Sequence, residues 1–297
     1  MTANNPFERA EFIPEFTDFS AFRGHNIGLT GARGVLGHLL QARLVRHDIQ
    51  TAAYPGDIND GDALAAWFAN HRFDHFFHFA ALVPVAAVEG DPLLAFQTNV
   101  IGTFNVCRQL LRTQPGCWFF HCSSSHVYKP TTQPTPIAED APKDPPTFYG
   151  ATKRTAEQVV EILLGKLQAP YCIGRVFSFT HAHQRAPYLV PSLRQSIAAL
   201  QDGDTLQVDN PSSVRDIQDA DQVIDAILRL AQSAAVGTVN IGTGVGQSVG
   251  DIALAVARSL GKSIRVAGID RDTPGSLIAD TSRLRFLLAA TNVQSGG

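Results

Sequence analysis

His25-Asn-Ile-Gly-Leu-Thr-Gly-Ala-Arg-Gly-Val-Leu-Gly37 runs from a short apolar stretch into glycines at 31, 34 and 37. The stretch reads as a first strand, and the helical spacing from Gly34 to Arg46 reads as the helix that follows it. Glycines at this junction let the backbone approach a pyrophosphate and aim helix N-terminal N–H groups at it. The spacing is GxxGxxG rather than GxGxxG, and alone it also fits a tight turn with close helix packing. Its place after the first strand of an alternating chain favours a dinucleotide site. Arg33 puts a guanidinium where an adenosine 2'-phosphate would lie, which favours NADP(H) over NAD(H); a solvated surface arginine is the alternative. Asp57, 20 residues after Gly37, stands near the position of a ribose-binding acid for NAD. Yet Gly56-Asp57-Ile58-Asn59-Asp60 leads directly into a helix, so it reads more as a strand end that contacts adenine.

Working outward, short buried-strand candidates recur at residues 73–81 and 116–122, with helical segments near 91–112 and 148–167. This βα alternation predicts a parallel sheet. Past residue 180 come a loop rich in His, Gln and Pro, a helix near 190–201, a short strand around Thr205 and a helix from about Asp219. Val239-Asn-Ile-Gly-Thr-Gly-Val-Gly246 reads as one more strand and turn before a helix at 249–260. The expected organisation is an extended lead-in at 1–23, a dinucleotide-binding domain at 24–177 and a smaller, mainly substrate-binding lobe at 178–297. Residues 212–245 are expected to return partly to the first domain.

The chain has 297 residues, 44% of them hydrophobic, and a formal charge of -3, enough to bury a large core. With no basic run there is no reason to invoke nucleic acid, and with no window apolar enough to span a bilayer, none to invoke a membrane. The polar opening lacks the order of a secretory signal, so the cytoplasm is the expected compartment. Cys107, Cys117, Cys122 and Cys172 show no ligand spacing and read as reduced, mostly buried thiols. His71, His75, His78 and His121 lie around two strand candidates, where alternation sends them to mixed faces, so no metal is expected.

Tyr149-Gly-Ala-Thr-Lys153 opens a helical stretch 25 residues after Ser124. Residues four apart share a helix face, so the Lys153 ammonium can stand beside the Tyr149 phenol and is expected to lower its pKa toward working pH. That is what a proton donor or acceptor at a carbonyl or alcohol needs.

The ordered set Thr-Gly-x-x-Gly-x-x-Gly at 30–37, Gly-Asp-Ile-x-Asp at 56–60, His-Phe-Ala-Ala at 78–81, and Thr-Asn-Val-x-Gly-Thr-x-Asn-Val at 98–106 continues downstream. Ser-Ser-Ser-x-Val-Tyr at 123–128, Tyr-x-x-x-Lys at 149–153, Val-Arg-Asp at 214–216 and Asn-Ile-Gly-Thr-Gly at 240–244 complete it. The whole resembles the extended short-chain dehydrogenase/reductases that modify nucleotide sugars, over residues 24–285. The resemblance implies an α/β, Rossmann-like doubly wound parallel sheet with a smaller C-terminal lobe. It implies that Tyr149 is the acid/base, Lys153 anchors the nicotinamide ribose, and Ser124 holds the reacting oxygen. Gly31, Arg33, Gly34, Val35, Leu36, Asp57, Ile58, Phe79, Ala80, Ala81, Asn99 and Phe177 would meet the cofactor. Ser124, Ser125, Ser178 and Arg215 would meet substrate, Arg215 through its diphosphate.

Departures from the family pattern narrow the reaction. The 4,6-dehydratases follow the Ser/Thr with Asp-Glu; here Ser125-His126 follow, which disfavours elimination. The short distance from Gly37 to Gly56-Asp57 is similar to that in reductases of 4-keto-6-deoxy sugar nucleotides. His126 and His183 resemble the two acid/base positions of GDP-fucose synthase, with a packed, hydrogen-bonded His126 as the plainer alternative. Ser178 replaces the family's asparagine. The expected activity is NADP(H)-dependent reduction of a 4-keto-6-deoxy sugar nucleotide, with or without prior epimerisation. The alternatives are a 4-epimerase with tightly held NAD and, in another class, a dinucleotide sensor without catalysis. The apolar faces of the helices near 91–112 and 148–167 imply a homodimer.

Overall fold

In a computed structural model, residues 7, 10–83, 85–271 and 275–294 are described. The chain runs β1 (Ile27–Thr30), α1 (Val35–Arg46), β2 (Thr51–Ala53), α2 (Gly61–Ala69), β3 (His75–His78), α3 (Val85–Gly90), α4 (Pro92–Phe96) and α5 (Gly102–Thr113). It continues through β4 (Trp118–Ser124), α6 (Phe148–Val160), β5 (Tyr171–Val176), β6 (Ser178–Thr180), α7 (Leu189–Ala198), β7 (Thr205–Gln207) and β8 (Val214–Asp219). Last come α8 (Ala220–Gln232), β9 (Gly237–Ile241), β10 (Gly246–Ser248), α9 (Val249–Ser259), β11 (Arg265–Ala267), β12 (Ser276–Leu277) and α10 (Ser282–Gln294).

Six strands form one parallel sheet in the order β2-β1-β3-β4-β5-β9. Strand alternation sends Phe77, Phe120 and Cys172 to one face, into a core shared with Leu40 and Leu44 of α1 and the apolar side of α8. Phe76, Phe119 and Ile173 go to the other, against Leu64, Phe68, Val106, Leu110 and Val160 of α2, α5 and α6. Both faces are covered, which is why β3 and β4 read as continuous apolar runs. Only α1 and the three-residue β2 separate Gly37 from Gly56-Asp57, as the short spacing implied.

The lead-in, expected to be extended, carries one short 3-10 turn at Phe19–Phe22 and packs on the main layer. Ile13, Phe16, Phe19 and Phe22 are buried in the core that covers α8. Its backbone is tied down as well, since Ala10 N donates to Gln222 Oε1 at 3.1 Å and Phe16 N donates to Asp225 Oδ1 at 2.9 Å. Four large apolar side chains within ten residues outweigh the entropy of ordering the segment.

The smaller lobe is built on β8, which pairs antiparallel with β10 and parallel with β12 and β6, while β7 and β11 pair beside it. α7 and α9 pack together over a core of Leu193, Ile197, Ile252 and Val256. α8 packs on α1, and α10 on α8 and β9, so these late helices complete the larger layer.

Candidate active site

The carboxyl ends of β1, β3, β4 and β5 open into one cleft of about 690 Å3, the usual place for a ligand on a sheet of this kind. The glycine loop forms its floor on one side. Gly31 has φ +76°, and a Cβ there would stand 2.6 Å from Ala80 N; a Cβ on Gly37 would stand 2.3 Å from Gly31 O. Only glycine permits that approach of β1, β3 and α1. Gly34 precedes α1 without a side-chain cap, so the first-turn N–H groups of a twelve-residue helix are left for an anion. Gly31, Gly34, Val35, Leu36, Phe79, Ala80 and Ala81 all line the cleft. This cradle, with no side chain in the way, fits the pyrophosphate of a dinucleotide.

Ser124 ends β4, and its Oγ accepts from His126 N at 3.2 Å, closing the short turn that carries Ser125 and His126. Opposite, Thr147 Oγ1 caps α6 by accepting from Gly150 N at 3.1 Å. A Cβ on Gly150 would lie 2.1 Å from His126 O, so the glycine lets the start of α6 lean on that turn. The contact brings the His126 ring edge-on to Tyr149, 5.5 Å between centroids. Ser124, Ser125, His126, Tyr149, Lys153, Phe177, Ser178 and Arg215 thus share the cleft with the glycine loop.

Electrostatics of the site differ from expectation in one respect. Burial pushes the Tyr149 phenol well up, with the nearby Ser124 hydroxyl pulling the other way. The expected lowering by Lys153 is not seen, because desolvation of the phenolate dominates. Lys153 Nζ instead donates to the Cys122 carbonyl at 2.6 Å, and burial pushes its ammonium pKa down. Burial, and then the Arg215 charge, push His126 down to about 4, so it is a neutral imidazole at pH 7. Arg215 Nη1 donates to the carbonyls of Val214 and Gly275 at 2.8 and 2.9 Å. Its neighbour Asp216 is fully buried and accepts from Thr243 N, Thr243 Oγ1, Gly244 N and Ala279 N. The Val-Arg-Asp and Asn-Ile-Gly-Thr-Gly motifs are therefore one structural unit that presents Arg215.

Other expected site residues lie elsewhere. Arg33 is exposed at the loop, outside the cleft lining, and Asp57 is exposed, its Oδ1 accepting from Asn59 N at 2.9 Å. The Ile58 side chain is core, packed where Gly102 leaves room for it. Asn99 is buried as a brace, bonded to both backbone groups of Leu82 and to Thr152 Oγ1. His183 is exposed, over His38 of α1 at 6.1 Å, and is not brought to Tyr149; the adjacent Gln184 is buried and lines the cleft. Sequence reasoning missed Gln184 and Tyr188 of that loop, Leu189 at the start of α7, and Val85, Ala86 and Glu89 of α3. No spacing in the sequence ties those residues to the helix that carries Tyr149 and Lys153. Among the described residues no group of three or more His, Cys, Asp or Glu is placed to hold a metal, and no helix is long and apolar enough to cross a membrane.

The family model described as GDP-mannose 4,6 dehydratase matches residues 29–285. The chain belongs to that family. Its curated relatives include a rice protein, UDP-glucose 4-epimerase 2, 29% identical over 241 residues, or 73% of this chain and 58% of the rice protein. They also include the UDP-glucose 4-epimerase of Halalkalibacterium halodurans, 26% identical over 255 residues, 79% of this chain and 76% of that one. The chain thus spans under two thirds of the rice relative's length. Among solved structures, the UDP-glucose 4-epimerase of Thermus thermophilus with NAD superposes with TM-score 0.77 at 19% identity, covering 92% of this chain and 99% of that one. RMD from Pseudomonas aeruginosa with NADPH gives 0.76 at 22%, covering 91% and 99%. At these identities the structures bear on the fold: a parallel Rossmann-like sheet common to the GDP-mannose 4,6 dehydratase family. These two relatives are UDP-glucose 4-epimerases rather than the 4-keto-6-deoxy reductases that the short β1–α1–β2 region resembled.

Proposed function

We propose that this chain is a nucleotide-sugar 4-epimerase that works with a bound nicotinamide dinucleotide. The observation that carries the reading is the convergence of Ser124, Tyr149 and Lys153 on the cleft that holds the glycine cradle at one side and Arg215 at the other. The dinucleotide would supply a hydride acceptor that returns what it takes. The positive charge of the oxidised dinucleotide, with the Lys153 ammonium, would offset the burial that keeps Tyr149 protonated in the ligand-free chain. As phenolate, Tyr149 takes the proton from the C4 hydroxyl and gives it back, Ser124 holds that oxygen, and the guanidinium of Arg215 pairs with the diphosphate. Neutral His126, against Tyr149, accepts a hydrogen bond from the sugar and carries no charge of its own. His183, on the surface over His38, has no part in this reading. Ser125-His126 supply no carboxyl for eliminating water, which argues against a dehydratase, and a sensor would have no use for the buried Ser–Tyr–Lys set.

A second reading, reduction of a 4-keto sugar nucleotide with NADP(H), draws on the adenosine side. β2 ends on Ala53 with no carboxylate there for a ribose 2'-hydroxyl, and Arg33 is exposed at the loop. Incubation with UDP-glucose and other UDP-sugars, with no nicotinamide added, separates the two. The epimerase reading expects the C4 epimer and NAD released on denaturation. Turnover that requires added NADPH would replace it with the reductase. Tyr149→Phe should lower either activity by about 10²–10⁴-fold.

The partner is a second copy of this chain. Leu93, Phe96, Ile101, Phe104, Phe148 and Ile162 are exposed along α4, α5 and α6 and the helical turns that join α4 to α5 and extend α6, an apolar area of the kind that pairs helices across a dimer. Light scattering should give the mass of two chains, and Phe104→Glu should give one. The cytoplasm suits four free, mostly buried thiols.

A further inference from the structure

We propose that Glu157 is a positioning residue for Lys153, keeping its ammonium charged, and that Arg175 and Ser123 hold Glu157 in turn. The inference deepens the proposed function and rests on it for the role of Lys153. Lys153 is 3% exposed and Glu157 fully buried, four residues apart and so on one face of α6. Consecutive residues of β4 pin the two successive turns. Cys122 O accepts from Lys153 Nζ, and Ser123 Oγ donates to Glu157 Oε1, each at 2.6 Å. The next residue is Ser124. Arg175 Nε and Nη2 take the two oxygens of Glu157 at 2.8 Å each, and Arg154 Nη1 adds a bond to Oε2 at 3.0 Å. A carboxylate held at both oxygens cannot swing away from the helix face it shares with Lys153.

The groups that interact electrostatically with Lys153 come from three elements: His78 of β3, His121 and Cys122 of β4, and Glu157 of α6 itself, with Tyr149 one turn before it on α6. Burial pushes His78 down to about 3 and His121 well below its usual value, so both are neutral at pH 7. Burial pushes the Cys122 thiol up to about 11 and the Tyr149 phenol well up, so neither is an anion there. Burial is also the largest influence on Lys153, favouring loss of its proton, and Cys122 and Glu157 oppose it. Cys122 opposes it only as a thiolate. In the ligand-free chain the Glu157 carboxylate, ion-paired with Arg175, is therefore the one anion in this set that favours the ammonium, its field partly offset by the cations of Arg175 and Arg154.

The test is the pH dependence of NADH and NADPH binding, read by nicotinamide fluorescence, alongside kcat and KM for the epimerised sugar. Glu157→Gln should move the alkaline loss of binding and of kcat toward acid by about one pH unit, lowering kcat by up to about tenfold along that limb, with sugar KM within about twofold. Arg154→Gln, at a partly exposed position, removes a competing cation and should move the same limb a smaller distance toward alkali. Alkaline limbs that coincide in wild type and both variants overturn the proposal. Should Glu157→Gln fail to fold, an unmoved limb in Arg154→Gln overturns it alone. A wild type that binds NADH or NADPH but turns over no nucleotide sugar would sink the proposed reaction and leave the binding limbs to decide this inference.

Discussion

Arg175 and His121 sit on neighbouring strands, two residues apart along the β4–β5 ladder, and both are almost fully buried. Arg175 bonds both Glu157 oxygens, the Tyr128 hydroxyl and the Glu139 carbonyl. Tyr128 passes the network on by donating to Asn240 Oδ1 at 2.7 Å. Neither ring nitrogen of His121 has a partner among the described residues, although His78, stacked on it at 5.5 Å, bonds Thr30 and Thr103. The difference follows from charge. A guanidinium cannot shed its proton, so it stays buried only with its donors matched, whereas an imidazole escapes most of the cost by staying neutral. One region therefore specifies the arrangement of four elements, and the other is tolerated at a cost in stability.

The largest effect should come from breaking the matched side. Arg175→Met leaves Glu157 buried beside Ser123 with its main partner gone, and should cost about 3–5 kcal/mol in denaturant unfolding. A loss under about 1 kcal/mol would mean the network is no stronger than the orphan histidine. Next, His121→Phe removes two unpaired ring nitrogens from a layer already built of Phe76 and Phe119, and should stabilise the fold by about 1–3 kcal/mol. Destabilisation there would show that His121 has a partner, such as an internal water.

Acid titration sharpens the same contrast. The folded chain resists protonation of His78 until about 3, of His75 and His126 until about 4, and of His121 until well below 6.5. The unfolded chain takes those protons near 6.5, so unfolding binds protons, and stability should fall as pH drops from about 6.5 toward 4. Above that window these groups should leave it level, and His121→Phe should flatten the acid slope of the unfolding midpoint. The smallest effect is expected for Tyr128→Phe, which leaves Arg175 its Glu157 and Glu139 bonds and should cost about 1 kcal/mol.

The glycine loop, the alternation of strands and helices, and the Tyr149–Lys153 spacing were legible in the sequence because each depends on residues close together in the chain. The pairing of Glu157 with Arg175 had only a half-signal, a carboxylate four residues after Lys153 and an arginine two before Phe177. Its meaning depends on β4 and β5 lying side by side. The clamp of Asp216 on Thr243 and Gly244, the burial of Phe16, Phe19 and Phe22 against α8, and the exposure of His183 had no local mark.

Local chemistry by itself determined a parallel α/β fold with a glycine cradle and Tyr149 and Lys153 on one helix face, since helix period, strand period and glycine freedom act over a few residues. Tertiary structure alone decided which charges are paired and which pKa values move, because burial and partnership are set by contacts between residues far apart in the chain. That is why Tyr149, expected to be pulled down by its neighbour one turn away, is instead pushed up by the protein packed around it.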